Sequence, residues 1–80
     1  MTHSILRLPA VKASTGLSRS TIYLRIAQGV FPRPVSLGAR AVGWPASEVA
    51  ALNAARIAGK PDTEIRELVA KLEAARKTAA

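Results

Sequence analysis

The fold is decided by residues 15–29, which read TGLSRSTIYLRIAQG. Gly16 tolerates the left-handed backbone that closes a helix. Ser18 is a residue type that caps the start of the next helix by accepting a bond from a free backbone N–H. Ile22 and Ile26, four residues apart, form a narrow apolar stripe. The stretch therefore predicts a short helix that follows a glycine turn and ends at the final glycine.

The residues before this stretch predict another short helix. Pro9 suits the first turn of a helix, where its missing N–H costs nothing, so this helix runs from Pro9 to about Ser14 with Val11 facing inward. The apolar run 5–8 is either an edge strand or a lead-in to the helix. Two short helices joined by a glycine turn are typical of a helix-turn-helix.

The chain after the second helix changes from helical to extended. Two prolines after Phe31 hold the residues before them out of helical geometry. Residues 35–37 read as one strand and 41–44 as its return, with Arg40 in the turn between them. These features predict a β-hairpin over about 35–44 with a basic tip.

The C-terminal part predicts two more helices with a break between them. The first opens at Pro45 and carries Glu48 in its first turn, where a carboxylate complements the helix dipole. The break falls at 59–61, and Asp62 can cap the last helix. The residues expected to face the core are Val49, Leu52 and Ile57 in the first helix, and Ile65, Leu68, Val69, Leu72 and Ala75 in the second.

The apolar stripe of the last helix has two possible uses. It can pack on the rest of the domain, which we favour, or it can pair with a second copy on DNA, where avidity would add affinity to a small module. Glu67 and Glu73 each precede a lysine by four residues, and these pairs support a helix with a solvated charged face.

These elements predict a mainly α fold with a small β-hairpin. We expect a winged helix-turn-helix over residues 1–58 and a C-terminal helix over residues 59–80, within one domain. A chain of 80 residues has no room for a second core.

The distribution of charge indicates a polyanionic partner. The net charge is +7, and residues 1–44 carry six basic and no acidic side chains, whereas residues 45–80 carry six basic and five acidic ones. Because the excess lies in the same half as the two short helices and the hairpin, we expect nucleic acid rather than a membrane as the partner.

Several other classes of protein are disfavoured by composition. There is no cysteine, and the one histidine, His3, lies near the N-terminus, so we expect no metal, no cofactor and no enzymatic activity. No apolar run is long enough to cross a membrane and no secretion signal is recognisable, so we expect a cytoplasmic protein.

The phase of the second helix predicts which side chains face DNA. If the two isoleucines point inward, Ser20 and Leu24 lie opposite them, while Ser18 and Arg19 occupy the helix start, where backbone N–H groups favour a phosphate. The predicted DNA-binding residues are Ser18, Arg19, Ser20, Thr21, Tyr23, Leu24, Arg25, Gln28, Arg33 and Arg40.

Each of these residues also has a purely structural interpretation. Ser18 caps its helix with or without DNA, and Tyr23 can pack against the rim of the core. Arg33 and Arg40 can be ordinary solvated charges, although a local run without acids favours contact. Trp44 is expected to be a core anchor rather than a platform for stacking bases.

A series of short motifs resembles the AlpA family of phage and mobile-element regulators. The matching residues are Arg7-Leu8-Pro9, Thr15 to Tyr23, Ala27-Gln28-Gly29, Phe31-Pro32, Pro34-Val35, Leu37-Gly38, Arg40 to Trp44 and Ser47-Glu48-Val49. They cover about residues 6–52 in the right order.

The resemblance implies a compact winged, MerR-like fold related to excisionases, and a regulator of prophage or integrative-element genes. Some such proteins act as recombination directionality factors, which bend attachment-site DNA for an integrase. By analogy, the recognition helix is about 18–28 and Arg40 belongs to the wing. Many family members have Arg then Leu after the Ile-Tyr pair, whereas this chain has Leu24-Arg25, which moves the charge to a flank.

Other functions remain open at this point. A protein-interaction adaptor would bind an integrase or an RNA polymerase subunit without touching DNA, and its binding would lack the steep salt dependence of DNA affinity. RNA binding is disfavoured because the chain lacks an aromatic platform. The residues do not separate a transcription regulator from an excisionase.

Overall fold

The helices and strands follow the predicted order. The computed structural model describes residues 4–78, so His3 lies outside the described residues. The elements are β1 (Ile5–Leu6), α1 (Leu8–Thr15), α2 (Arg19–Ala27), β2 (Val35–Gly38), β3 (Ala41–Pro45), α3 (Ala46–Ile57), α4 (Asp62–Ala75) and a short 3₁₀ turn (Arg76–Thr78).

The junction between α1 and α2 has the predicted capping residues. Gly16 closes α1 in the left-handed region, with φ of 73°, and its N–H donates to the carbonyl of Lys12. Ser18 caps α2, because its Oγ accepts from the N–H of Thr21 at 3.3 Å. Three residues therefore separate the two helices, and both helix ends follow from local chemistry.

The hairpin is part of a three-stranded antiparallel sheet in the order β1-β3-β2. Leu6 pairs with Trp44 on one side of β3, and Val35 pairs with Gly43 on the other. The run 5–8 is thus an edge strand followed by the start of α1. A Cβ on Gly43 would lie 2.5 Å from Cγ2 of Ile5 and 3.0 Å from the carbonyl oxygen of Leu6, so this crossing has no room for a side chain.

The first hydrophobic core lies between the sheet and the first three helices. Its buried members are Val11, Ile22, Phe31, Trp44 and Val49. Trp44 is completely buried, and its Nε1 donates to the carbonyl oxygen of Pro32 at 2.9 Å. Trp44 is therefore the core anchor that the sequence predicts.

A second core holds α4 against the rest of the chain. Its buried members are Val30, Leu52, Ile65 and Val69, with Leu68 and Leu72 partly buried around them. The apolar stripe of α4 therefore packs on the chain's own α3 and on Val30.

Two details of the C-terminal helices differ from the prediction. Ile57 is 87% exposed rather than in the core, because five helical steps place it about 140° around α3 from Leu52. Asp62 is the first residue of α4 and not its cap; Pro61 holds the cap position and accepts the N–H of Glu64. The carboxylate of Asp62 instead bonds Nη1 of Arg56 at 3.0 Å.

Candidate nucleic-acid interface

The outer face of α2 is exposed as the helical phase predicts. Ile22 is completely buried and Ile26 is partly buried, which fixes the rotation of the helix about its axis. Ser20 and Ala27 are exposed on the opposite side, and Leu24 is 57% exposed. The face is mostly uncharged and contains no carboxylate.

A cluster of hydroxyl groups marks the N-terminus of α2. Ser18 Oγ donates to Thr21 Oγ1 at 2.9 Å and lies 3.3 Å from Oγ of Ser20. Because Ser18 also accepts from the backbone, its oxygen is used mainly in capping. Ser20 is the hydroxyl of this cluster that is exposed and has no backbone partner within the described residues.

Arg19 and Tyr23 form a stacked pair on the same helix. The guanidinium carbon of Arg19 lies 5.3 Å from the centroid of the Tyr23 ring, a distance that allows a cation–π interaction. Tyr23 is 38% exposed and meets Trp44 edge to face, with 6.4 Å between ring centroids. Tyr23 therefore packs on the core rim through one side and supports a surface cation.

The remaining two residues of the predicted set, Arg25 in α2 and Gln28 just after it, differ in exposure. Arg25 is partly buried and lines a cleft of about 270 Å³ together with Leu52 and Asn53. Gln28 is exposed at the C-terminal end of the helix, where its carbonyl oxygen accepts from Nε of Arg66 at 3.1 Å.

The two predicted arginines outside α2 differ in their surroundings. Arg40 is exposed in the turn of the hairpin, with φ of 60°, and has no carboxylate partner among residues 4–78. Arg33 is also exposed, but its Nη2 lies 3.4 Å from Oε1 of Glu73 and its backbone N–H donates to Oε2 at 2.8 Å. The charge of Arg33 is thus partly compensated, and its contact with DNA stays a prediction.

Sequence reasoning missed an ion pair between α3 and the end of α4. Glu48 is only 5% exposed, and Arg76 donates to it twice, from Nε at 2.9 Å and from Nη2 at 2.6 Å. The hydrogen bond to Glu48 raises the pKa of Arg76 above its ordinary value. A signal was present, because Glu48 precedes the core residue Leu52 by four positions and so shares its face of the helix.

Most of the acidic side chains are paired, whereas most of the basic side chains in the first 44 residues are not. Four of the five carboxylates are ion-paired, in the pairs Arg33–Glu73, Arg56–Asp62, Lys60–Glu64 and Arg76–Glu48. The cations of the first 44 residues that have no carboxylate partner within the described part are Arg7, Lys12, Arg19, Arg25 and Arg40. Such an excess suits a ligand that carries many negative charges.

Across residues 4–78, no three histidine, cysteine or acidic side chains come together in a way that could hold a metal ion. Within the same residues, none of the helices combines the length and the apolar character needed to span a membrane.

A family model and one relative point to the same family. Residues 4–57 match the family described as prophage CP4-57 regulatory protein (AlpA). A protein of Enterobacteria phage P4, described as the uncharacterized protein ORF88, is 56% identical over 55 residues, which are 69% of this chain and 62% of that protein. The DNA-binding transcriptional activator AlpA of Escherichia coli (strain K12) is 41% identical over 51 residues, which are 56% of this chain and 73% of that protein. No solved structure matches the chain.

Proposed function

Because this chain belongs to the AlpA family of prophage regulatory proteins, we propose that it binds double-stranded DNA sequence-specifically and regulates transcription of a prophage or integrative element. The relative from Escherichia coli is a DNA-binding transcriptional activator, which supports the same role here. The observation that carries the proposal is the α2 surface, where an exposed face without carboxylates adjoins cations that have no acidic partner among residues 4–78.

In this proposal the two helices and the sheet act as a winged helix-turn-helix. The recognition helix, about residues 18–28, enters the major groove, which admits an α-helix. Ser20 and Thr21 at its start are placed to donate to phosphates or bases, and the start of the helix favours a phosphate. Leu24, exposed in the middle of the face, is suited to a thymine methyl group.

The flanking cations position the protein on the DNA backbone. Arg19 and Tyr23 form the first contact beside the helix start, and Arg25 and Gln28 lie on the flanks nearer its end. The hairpin acts as a wing, with Arg40 against a phosphate or in the minor groove. Arg33 joins this contact if DNA draws its guanidinium away from Glu73.

The same binding mode suits an excisionase, or recombination directionality factor, in which the protein bends attachment-site DNA for an integrase. Both roles place the protein in the cytoplasm on chromosomal or phage DNA. A transcription regulator would in addition contact RNA polymerase. A bending assay with the site at permuted positions separates them in part, because a sharp bend favours the architectural role.

The experiment that tests DNA binding is fluorescence anisotropy over a range of salt. The probes are the DNA upstream of the protein's own gene, the attachment site of the element, and a scrambled duplex. If the five unpaired cations each neutralise a phosphate, log K should fall against log salt with a slope of about −4.5 between about 50 and 200 mM. A preference for one natural site over the scrambled duplex supports specific recognition.

A matched pair of variants locates the contact. Arg19→Ala and Arg56→Ala each remove one positive charge, but Arg19 stands on the proposed interface, whereas Arg56 is paired with Asp62. We expect Arg19→Ala to make the slope shallower by about 0.9 and Arg56→Ala to leave it nearly unchanged. Equal changes of the salt slope in the two variants would indicate that DNA is attracted only by the net charge of the protein.

The alternative is the protein-interaction adaptor, which binds an integrase or a polymerase subunit. Absence of DNA binding even at about 50 mM salt would overturn the proposed function and favour the adaptor.

A further inference from the structure

Helix α4 is fastened to the segment that joins α2 to the hairpin. Arg66 Nε donates to the carbonyl oxygen of Gln28 at 3.1 Å, at the end of α2. Two residues before the hairpin, the N–H of Arg33 donates to Glu73 at 2.8 Å, and its carbonyl oxygen accepts from Nη2 of Arg76 at 2.7 Å. The backbone of the joining segment is therefore held at both of its ends.

The middle of the same segment is also anchored. Val30 is only 2% exposed and packs with Ile65 and Val69 of α4. Arg76 is itself fixed by the buried carboxylate of Glu48, which directs its guanidinium towards Arg33. All these bonds to the segment are made to main-chain atoms, so they determine where the backbone lies.

These contacts come from outside the part of the chain that defines the family. The family match ends at residue 57, and α4 begins at residue 62. The family match itself therefore assigns no role to α4. Yet side chains of α4 and of the turn after it bond the segment that connects α2 to the hairpin. In the proposed function, α2 and the hairpin are the two elements that face DNA.

We propose that Arg66, Glu73 and Arg76 are positioning residues for DNA binding, which set the placement of the hairpin relative to α2. The inference rests on the proposed function. Binding groups act productively only when their supporting contacts hold them to within about 0.5 Å of the required geometry. We call these three side chains the clasp. Without the clasp, α2 can still bind DNA, but the hairpin no longer holds Arg40 against its phosphate or minor-groove contact.

The first test distinguishes the loss of a clasp bond from the effect of a changed net charge on DNA binding. Glu73→Ala and Glu67→Ala each remove one negative charge from α4, and Glu67 is exposed with no partner among the described residues. Net charge alone predicts that both variants bind DNA more tightly. The clasp predicts that Glu73→Ala binds about tenfold more weakly than Glu67→Ala, a difference of about 1.4 kcal/mol. Equal or tighter binding by Glu73→Ala would overturn the proposal.

The second test asks whether the clasp acts through the hairpin. Arg40→Asn removes the charge at the tip, and asparagine tolerates the left-handed backbone found there. In the wild-type background we expect this change to make the salt slope shallower by about 0.9. In the Glu73→Ala background we expect it to change neither the slope nor the affinity, because the contact is already lost. If the effects of Glu73→Ala and Arg40→Asn on DNA affinity simply add, as they would if Glu73 had a purely structural role, the inference is contradicted.

The controls separate this inference from the proposed function. Circular dichroism verifies that each variant is folded at the temperature of the assay. If Glu73→Ala does not fold, the same cycle with Arg40→Asn is measured in the background of Arg66→Ala, which removes the bond from Nε of Arg66 to the carbonyl oxygen of Gln28. Failure of the wild-type chain to bind DNA rejects the proposed function. Normal binding with an additive cycle rejects only the clasp.

Discussion

Residues 4–45 and residues 46–78 pack into one fold but use their charges differently. In the N-terminal region, five cations have no carboxylate partner within the described residues, and Arg33 is paired only through Glu73 of the other region. In the C-terminal region, four carboxylates bond guanidinium or ammonium groups. One of these, Glu48, lies in the interior at 5% exposure.

This difference indicates a division of labour. Acidic groups in the C-terminal region hold helices and loops in place, and pairing them there keeps them away from the α2 surface. The N-terminal region relies on apolar contacts and helix caps for its stability, and five of its cations have no carboxylate partner among residues 4–78. Substitutions in the two regions should therefore have different effects, and four of them test this in order of expected size.

The largest effect is expected for Trp44→Ala in the N-terminal region. The change removes a completely buried ring and leaves the carbonyl oxygen of Pro32 without its donor. We expect the free energy of unfolding to fall by about 3–5 kcal/mol, measured by urea denaturation. Leu52→Ala in the second core is the comparison and should have a smaller effect. A larger loss for Leu52→Ala would mean that the C-terminal core dominates stability.

A smaller effect is expected for Glu48→Gln in the C-terminal region. The neutral amide cannot compensate the charge of Arg76, whose side chain is only 23% exposed. We expect a loss of about 1–3 kcal/mol in the free energy of unfolding, measured in the same way. Glu67→Gln, on the exposed surface of α4, is the control. Equal losses of unfolding free energy in the two variants would show that the buried acid contributes no more to stability than the solvated one.

Ser18→Ala tests the dependence of α2 on its cap. The variant removes the oxygen that accepts the N–H of Thr21, which we expect to cost about 1 kcal/mol. Ser20→Ala removes a hydroxyl from the same helix turn without touching a backbone bond and should be close to neutral. Thermal unfolding compares the two, and a larger loss for Ser20→Ala would show that the hydroxyl cluster is not organised around the cap.

The smallest effect is expected for Lys60→Ala. The pair Lys60–Glu64 is 3.7 Å long and both side chains are more than half exposed. We expect a change of less than about 0.5 kcal/mol, and still less at high salt. A loss of stability as large as that of Glu48→Gln would show that the contribution of an ion pair in the C-terminal region does not depend on its exposure to solvent.

Much of the fold could be predicted because its signals are local. Gly16 and Ser18 mark the ends of neighbouring helices through bonds within four residues, and the buried Ile22 sets the phase of α2. The exposure of Ser20 and Leu24 follows from that phase. The family membership was predictable for the same reason, since its motifs are short runs of adjacent residues.

The polar contacts that α4 and the turn after it make with residues 28–33 could not be predicted, because they join distant parts of the sequence. The three clasp bonds connect residues that are 38, 40 and 43 positions apart. The sequence placed lysines four residues after Glu67 and Glu73, but Glu73 turns to Arg33 instead. A charged side chain on a helix surface has several partners within reach, and only the packing of α4 on Val30 and Leu52 decides among them.

The burial of Trp44 also gives the chain an internal optical probe. The sequence contains one tryptophan and one tyrosine, and the two rings lie 6.4 Å apart between centroids. Light absorbed by Tyr23 on α2 is therefore passed efficiently to Trp44 on β3, whose indole is shielded from water. Separation of α2 from the sheet would appear as a red shift of the Trp44 emission and a loss of this energy transfer, without any attached label.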